Sequence, residues 1–464
     1  MIRALCVLLA ASCLADQPNI VFILADDLGY GDVSACNPNA KVRTPHMDRL
    51  ATEGARFTQA YAAAAVCVPS RYSLLTGRYP FRGDLNWRKK PTIPEGQITV
   101  ASVLQDAGYH TACVGKWHCG FDNGVNNPDR ELAGGPLDRG FDSFFGQHGS
   151  LDQPPYFYIR DRRAVQLPTE KTKDQFETGF SIKYQGRYLR AGDIAPNFDH
   201  DETLDRYADE AVAVLEKQAK SDQPFFLYFP LTAPHGPWGP SDAFKGKSAL
   251  GSYGDFLMHT DAVVGRILAA LDRLGQTKNT LVILSSDNGP LWSDDDSIRT
   301  GHNASGGFRG RKGDVWDGGV HMPFMARLPG KIPAGSVRTE LLVLTDMLAT
   351  LAAVGGATLA PGSEGDSINQ WPTMQGKGAQ RESLLLQSSR RKHAVRMGDW
   401  KYIPWLGGGG FLSGKPFDDA KPGQANAQLY DLAKDPGESR NLHDAHPERV
   451  EALATLLKKL NPKK

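Results

Sequence analysis

The stretch Asn19-Ile20-Val21-Phe22-Ile23-Leu24-Ala25 constrains the architecture of this chain more than any other. A strand with one wet face alternates apolar and polar residues. An unbroken apolar run belongs to a strand covered on both faces, as in a parallel sheet. Thr280 to Ser286 repeats the pattern, and Tyr109 to Val114 and Pro224 to Leu231 add two further strands. Helical stretches separate them. Thr44-Pro45 opens a helix through Leu50 that stops at Gly54, and Ile98 to Ala107 is closed by Gly108. Thr203 to Lys220 and Phe256 to Leu274 carry apolar residues along one face. Strands that alternate with helices imply an α/β fold on a mostly parallel sheet.

The two most apolar strands end in oxygen-bearing side chains, Asp26-Asp27 and Asp287-Asn288. Such residues either cap a turn or serve a hard cation, since Ca²⁺ and Mg²⁺ take oxygen ligands. Sites in open α/β sheets form at the carboxyl ends of strands, where these residues lie. The Pro224 strand delivers His235 between Pro234 and Pro237, and the Tyr109 strand runs into Gly115-Lys116-Trp117-His118. Alternation around Trp117 points Lys116 and His118 the same way from an extended loop.

Cys67 follows an alanine run, Ala62 to Ala65, and precedes a helix that Pro69 opens and Gly77 stops. It is expected just ahead of a helix N-terminus, which favours an anion. Arg71 lies one turn further on. From these residues alone Cys67 is either a buried structural cysteine or a nucleophile activated by the helix end.

With 53 Lys plus Arg against 52 Asp plus Glu, the chain carries no overall field for nucleic acid. Its 464 residues suffice for two domains. Met1-Ile2-Arg3 followed by an apolar run from Ala4 to Leu14 has the form of a secretory signal, too short to span a bilayer. No transmembrane anchor is expected. Cleavage after Ala15 gives a secreted or periplasmic protein; the alternative is an imperfect lipoprotein box with the lipid on Cys13. The expected boundaries are a signal peptide over 1–15, a catalytic domain over 16–356 and a C-terminal subdomain over 357–464, where composition turns to Gly, Ser and Pro after Gly356. Within the subdomain, His393 to Tyr402 and Gln428 to Asp431 are expected as strands of a small antiparallel sheet and Glu448 to Leu460 as its helix.

The string Cys67-Val68-Pro69-Ser70-Arg71, continued by Leu74-Leu75-Thr76-Gly77-Arg78, resembles the signature of the type I sulfatases. Gly115-Lys116-Trp117-His118, Pro234-His235, Asp287-Asn288 and Arg309-Gly310-Arg311-Lys312 match further motifs of that family, and similarity runs from about Asn19 to Leu442. The resemblance implies an alkaline-phosphatase-like α/β domain, a mixed and mostly parallel sheet flanked by helices, with a smaller C-terminal α+β domain. It implies hydrolysis of sulfate monoesters. In that family the cysteine matching Cys67 becomes formylglycine, through a formylglycine-generating or an anaerobic sulfatase-maturating enzyme. One Ca²⁺ is implied on Asp26, Asp27, Cys67, Asp287 and Asn288. Arg71, Lys116 and Lys312 would neutralise the sulfate, Asp287 would serve as base, His235 would protonate the leaving alcohol, and His118 would take the second proton. Ser150 and His302 are candidate substrate contacts. Asp317 replaces the family's commoner Glu and is read as structural, and Asp294-Asp295-Asp296 as a solvated turn. Residues 152–202, rich in Arg, Lys, Asp, Tyr and Pro, are expected as hairpins and loops at the pocket rim. Secretion, no transmembrane anchor and a Trp/Tyr-rich rim favour a sulfated polysaccharide or glycosaminoglycan fragment over a steroid or lipid. Two other readings use the same residues: a phosphonate or phosphodiester hydrolase, and a non-catalytic sulfated-glycan binder with Cys67 unmodified.

Overall fold

The computed structural model describes residues 17–176, 188–411, 417–421 and 425–461; the expected leader lies outside them. The central sheet has 10 strands. In chain order they are β1 (Asn19–Asp26), β2 (Ala55–Phe57), β3 (His110–Lys116), β4 (Ser143–Gln147), β5 (Ile159–Arg160), β6 (Arg163–Ala164), β7 (Phe225–Pro234), β8 (Thr280–Ser286), β9 (Phe324–Arg327) and β10 (Ser336–Arg338). Their spatial order is β10-β2-β9-β8-β1-β7-β3-β4-β5-β6. The middle of the sheet, β8-β1-β7-β3-β4, is parallel throughout, and antiparallel pairs appear only towards the edges. The mostly parallel sheet read from the apolar runs forms, with the mixed edges that the resemblance implies.

β1 is buried along its whole length, with Ile20 paired to Phe226 on one side and Leu281 on the other. Each fully buried Val, Ile, Leu or Phe side chain contributes about 1.5–3 kcal/mol. That surplus holds carboxylates at the strand ends that would be unstable on a weaker frame. The register between β1 and β7 shifts between Leu24 and Asp26, and the backbone turns at Asp27.

Two groups of helices flank the sheet. Pro45–Glu53, Thr203–Gln218 and Ser252–Arg273 pack on one another, and Cys67–Thr76, Val100–Asp106 and Met347–Val354 form the second group. Thr44 stands at the first N-cap as expected, but its hydroxyl bonds Asp48 at 3.2 Å and accepts from Ser34 N–H rather than closing the helix end.

The C-terminal part is an antiparallel sheet of β11 (Ser383–Gln387), β12 (His393–Met397), β13 (Trp400–Ile403) and β14 (Gln428–Asp431), covered by the helix Pro447–Leu460. Ser383–Gln387 was not legible as a strand. Its backbone pairs with the alanine run: Ala65 N–H donates to Gln387 O at 2.9 Å, and Gln387 N–H to Ala63 O at 2.9 Å. Tyr61, Ala63 and Ala65 share one apolar cluster with Leu384, Leu385 and Leu386. The small sheet therefore braces the segment that leads into Cys67.

Candidate active site

The carboxyl ends of β1, β3, β7 and β8 converge on the start of the helix Cys67–Thr76. Cys67 is the first residue of that helix, not ahead of it, and is 6% exposed. Gly77 ends the helix in the left-handed region, its N–H donating to Ser73 O. The thiol donates to Asp26 Oδ1 at 3.5 Å. Burial pushes the Cys67 thiol well up, outweighing the pull of Lys116 and Lys312, and nearby Asp26 and Asp287 push it the same way. The helix end does not produce a thiolate here.

Three carboxylates face three cations. Arg71, fully buried, sets Nε at 2.9 Å and its terminal nitrogen at 2.7 Å from Asp287 Oδ2, and donates to Lys116 O at 2.9 Å. The Lys116 ammonium binds Asp26 Oδ2. Lys312 Nζ lies 2.7 Å from Asp27 Oδ1 and 2.8 Å from Oδ2. Burial alone would raise Asp26, yet Lys116, His235, Arg71 and Lys312 together hold it well below its ordinary range. Asp287 is pushed up to about 6 by burial and by Asp26, against the pull of Arg71.

Asp26, Asp27, Cys67 and His235 each bring one ligand atom within 4.8 Å of the others. Asn288 donates its amide to Asp27 Oδ1 at 2.7 Å, and its own Oδ1 is buried with no partner among the described residues. Asp287 Oδ1 accepts Asp27 N–H at 3.3 Å. Carboxylates with an orphaned amide oxygen are the donor set a hard cation takes, so these residues fit Ca²⁺. Charge supports the same fit. The carboxylates and cations named above balance, and a divalent ion would leave the site positive towards an anionic ester.

His235 sits just past β7 with Nδ1 against Gly236 O, so Nδ1 carries the proton and Nε2 faces the cluster, 3.8 Å from Asp27 Oδ2. Ca²⁺ prefers oxygen, which leaves this nitrogen for proton transfer. His118 departs from the extended backbone expected of it, at φ +56°. Lys116 ends β3, and His118 feels the same cluster of Lys116, Arg71 and Asp26. Its N–H donates to His148 O, and neither ring nitrogen has a partner among the described residues. Burial, then Lys116 and Arg71, push His118 well below its ordinary value, so the ring is neutral.

Ser150 lies in the loop supporting His118, its hydroxyl buried without a described partner. His302 is not a substrate contact. It is fully buried, with Nε2 bonded to Asp32 Oδ1 at 2.8 Å and Nδ1 accepting Lys41 N–H, so no ring nitrogen is left for a ligand. The Asp294 stretch is not a solvated turn but a short helix, Asp294–Thr300, capped by Ser293, with Asp296 buried. Sequence reasoning missed Trp87, whose ring meets His118 edge-on at 4.4 Å, and Ser286, which accepts Leu28 N–H and donates to Asn288 O, both at 2.9 Å. A tryptophan in an otherwise polar loop was the one available signal. Beside His118 a cavity of about 270 Å³ is lined by Trp87, Phe121, His148, Gln153 and Arg190. A larger cavity, about 780 Å³, lies at the opposite end of the sheet around Pro18, Lys278 and Asn279, away from this chemistry.

The sequence model described as Sulfatase matches residues 18–357. An N-acetylgalactosamine-6-O-sulfatase of Bacteroides thetaiotaomicron is 33% identical over 478 residues, covering 96% of this chain and 93% of that protein. Arylsulfatase A of Homo sapiens is 35% identical over 489 residues, covering 98% and 90%. A solved sulfatase structure from work on glycosaminoglycan metabolism by Bacteroides thetaiotaomicron superposes with a TM-score of 0.83 at 31% identity, covering 96% of this chain and 99% of that one. With a match spanning most of its length, the chain belongs to the sulfatase family. It is a sulfuric ester hydrolase with the mixed α/β fold of that family and a small C-terminal antiparallel sheet.

Proposed function

We propose that this enzyme releases inorganic sulfate from sulfate monoesters on a sulfated polysaccharide or glycosaminoglycan fragment, using formylglycine made from Cys67 and one Ca²⁺. The observation that carries the reading is Cys67 at the first position of a buried helix, within one cluster of Arg71, Lys116, Lys312 and three carboxylates. A buried thiol whose proton is held tightly is a poor nucleophile, which favours a chemically converted residue over a thiolate. The relatives named for N-acetylgalactosamine-6-sulfate and glycosaminoglycan chemistry favour a glycan substrate.

Asp26, Asp27, Asp287 and Asn288, with the converted Cys67, would hold Ca²⁺, which supplies positive charge against the sulfate oxygens. Formylglycine supplies, as its hydrate, the nucleophilic hydroxyl. Arg71, Lys116 and Lys312 orient the sulfate and offset its charge. Asp287, raised towards neutral pH, is suited to accept a proton. With a proton on both ring nitrogens, His235 donates from Nε2 to the leaving alcohol oxygen, a role that Lys312 shares. Neutral His118 accepts a proton from the nucleophile's second hydroxyl. Ser150, beside His118, remains a candidate substrate contact.

The apolar leader favours secretion or a periplasmic site, and no helix among the described residues is long and apolar enough to cross a membrane. A formylglycine-generating or anaerobic sulfatase-maturating enzyme is the partner this site requires. Mass spectrometry of the Cys67 peptide should show an aldehyde in place of the thiol. Sulfate release from a panel of defined sulfated mono- and oligosaccharides should track that conversion. Full activity with an intact thiol would refute the nucleophile, and turnover of phosphate diesters without sulfate release would refute the reaction.

A further inference from the structure

β11 and β12 are joined by Ser388-Ser389-Arg390-Arg391-Lys392, with Ser388 N–H donating to Lys392 O at 2.9 Å and Arg391 N–H to Ser388 O at 3.0 Å. The last residue of such a three-residue hairpin loop takes the left-handed region, where glycine is favoured. Here it is Arg391, at φ +58°. An arginine held in a glycine conformation carries a local cost that a fold selected only for stability would shed.

The turn is anchored to the backbone that carries two residues of the site. Ser389 N–H donates to Gly313 O at 2.9 Å, and Gly313 N–H donates to Ala65 O at 2.8 Å. Gly313 follows Lys312, and Ala65 precedes Cys67 by two positions. Arg390, Arg391 and Lys392 are exposed, and neither arginine makes an ion pair with a described residue. On the loop that carries Trp87, Asp84 feels the charge of Arg391 but is engaged by Lys90 at 2.8 Å. Phe411, 43% exposed, lies against Gly313, where an added Cβ would meet its ring at 3.0 Å. Adjacent like charges, backbone strain and an exposed ring converge beside that backbone.

We propose that Arg390 and Arg391 form a second anion subsite, beside Phe411, for a sulfate or carboxylate on a sugar neighbouring the one that is desulfated. The substrate is then an oligosaccharide with at least one further anionic group, and the C-terminal sheet reads it. This rests on the glycan reading of the active site.

The test uses the double variant R390A/R391G on the mature full-length enzyme, since glycine suits the left-handed position and the fold should hold. The quantity to follow is kcat/KM for an oligosaccharide relative to that for nitrophenyl sulfate. For oligosaccharides whose neighbouring sugar carries sulfate or carboxylate, that ratio should fall about tenfold through KM, and added salt should erase the difference. With a neutral neighbour the ratio should stay as in the parent enzyme. Comparing sulfate with carboxylate neighbours identifies which anion the subsite takes, and R391N should repeat the loss. An unchanged ratio for every anionic oligosaccharide would overturn the proposal. Should no sulfated sugar be turned over, the glycan reading fails as an activity. Calorimetric Kd values for the same oligosaccharides then decide: about tenfold weaker binding by the variant upholds the subsite, and equal binding removes it.

Discussion

Asp27 holds a left-handed backbone at φ +63° while its carboxylate takes Lys312 and the Asn288 amide, each at 2.7 Å. That conformation costs about 1–2 kcal/mol for a residue other than glycine, and it persists because β1, β7 and β8 fix both flanks. Asp27→Ala removes an oxygen of the proposed Ca²⁺ site and leaves Lys312 buried without its partner. Calcium retained after gel filtration, measured by atomic emission, and sulfate release should fall together, the latter by about 10²-fold or more. A variant that keeps its calcium would remove Asp27 from the metal set. The carboxylates were legible because charged side chains are poor choices at the ends of buried strands, whereas Lys312 was placed by the family resemblance alone. The misread His302 shows the limit. A histidine in a glycine-rich loop reads the same whether it faces a ligand or, as here, a buried aspartate distant in sequence.

At the level of elements, placement of Lys116 depends on how closely β3 approaches its neighbours. A Cβ on Gly115 would stand 1.9 Å from Pro230 O in β7, and one on Gly146 of β4 would stand 1.8 Å from Gly115 O. Backbone atoms in the centre of a parallel sheet cannot give way. Gly115→Ala should therefore destabilise by about 3 kcal/mol or more and displace Lys116 from Asp26. Gly108→Ala is the matched comparison, at φ +92° with nothing within 4 Å. It should cost only the left-handed penalty, about 1–2 kcal/mol. Thermal unfolding of both variants, with sulfate release as second readout, checks this; equal losses would mean that strand spacing does not set the site. The strands themselves were legible from apolar continuity. The turn at His118 was not, since alternation assumes an extended backbone and only the packed structure imposes φ +56° there.

Across the whole molecule, the two lobes are joined by a buried charge cluster behind the site. Lys401 of β13 lies 2.7 Å from Asp317 and 2.9 Å from Glu438, and Glu438 accepts the Asp317 N–H at 2.6 Å. Tyr61 donates to Asp317 at 2.6 Å from the segment that leads to Cys67. Burial pushes Glu438 up to about 7 against the pull of Lys401, with Asp317 adding to the rise. Lys401→Met leaves two carboxylates without their cation and should cost about 3–5 kcal/mol at pH 8. The loss should shrink towards pH 5. The folded state keeps the Glu438 proton up to about 7, whereas the unfolded chain releases it near 4.5, so stability falls as pH rises between those values. Unfolding curves at both pH values check the sign. A loss independent of pH would place the proton elsewhere.

By itself the sequence determined the parallel frame, the strand ends that gather the carboxylates, and a helix next to Cys67, though not that Cys67 is its first residue. Those follow from local periodicity and from the poor fit of charge to buried strands. Only the tertiary structure decided that Ser383–Gln387 pairs with the alanine run, that Asp317 is tied to Lys401 and Glu438, and that His302 is tied to Asp32. It also decided that the turn holding Arg390 and Arg391 bonds the segment that follows Lys312. These are contacts between segments far apart in the chain. Their partners are chosen by packing and by the need to satisfy buried polar groups, and no local pattern of residues encodes that choice.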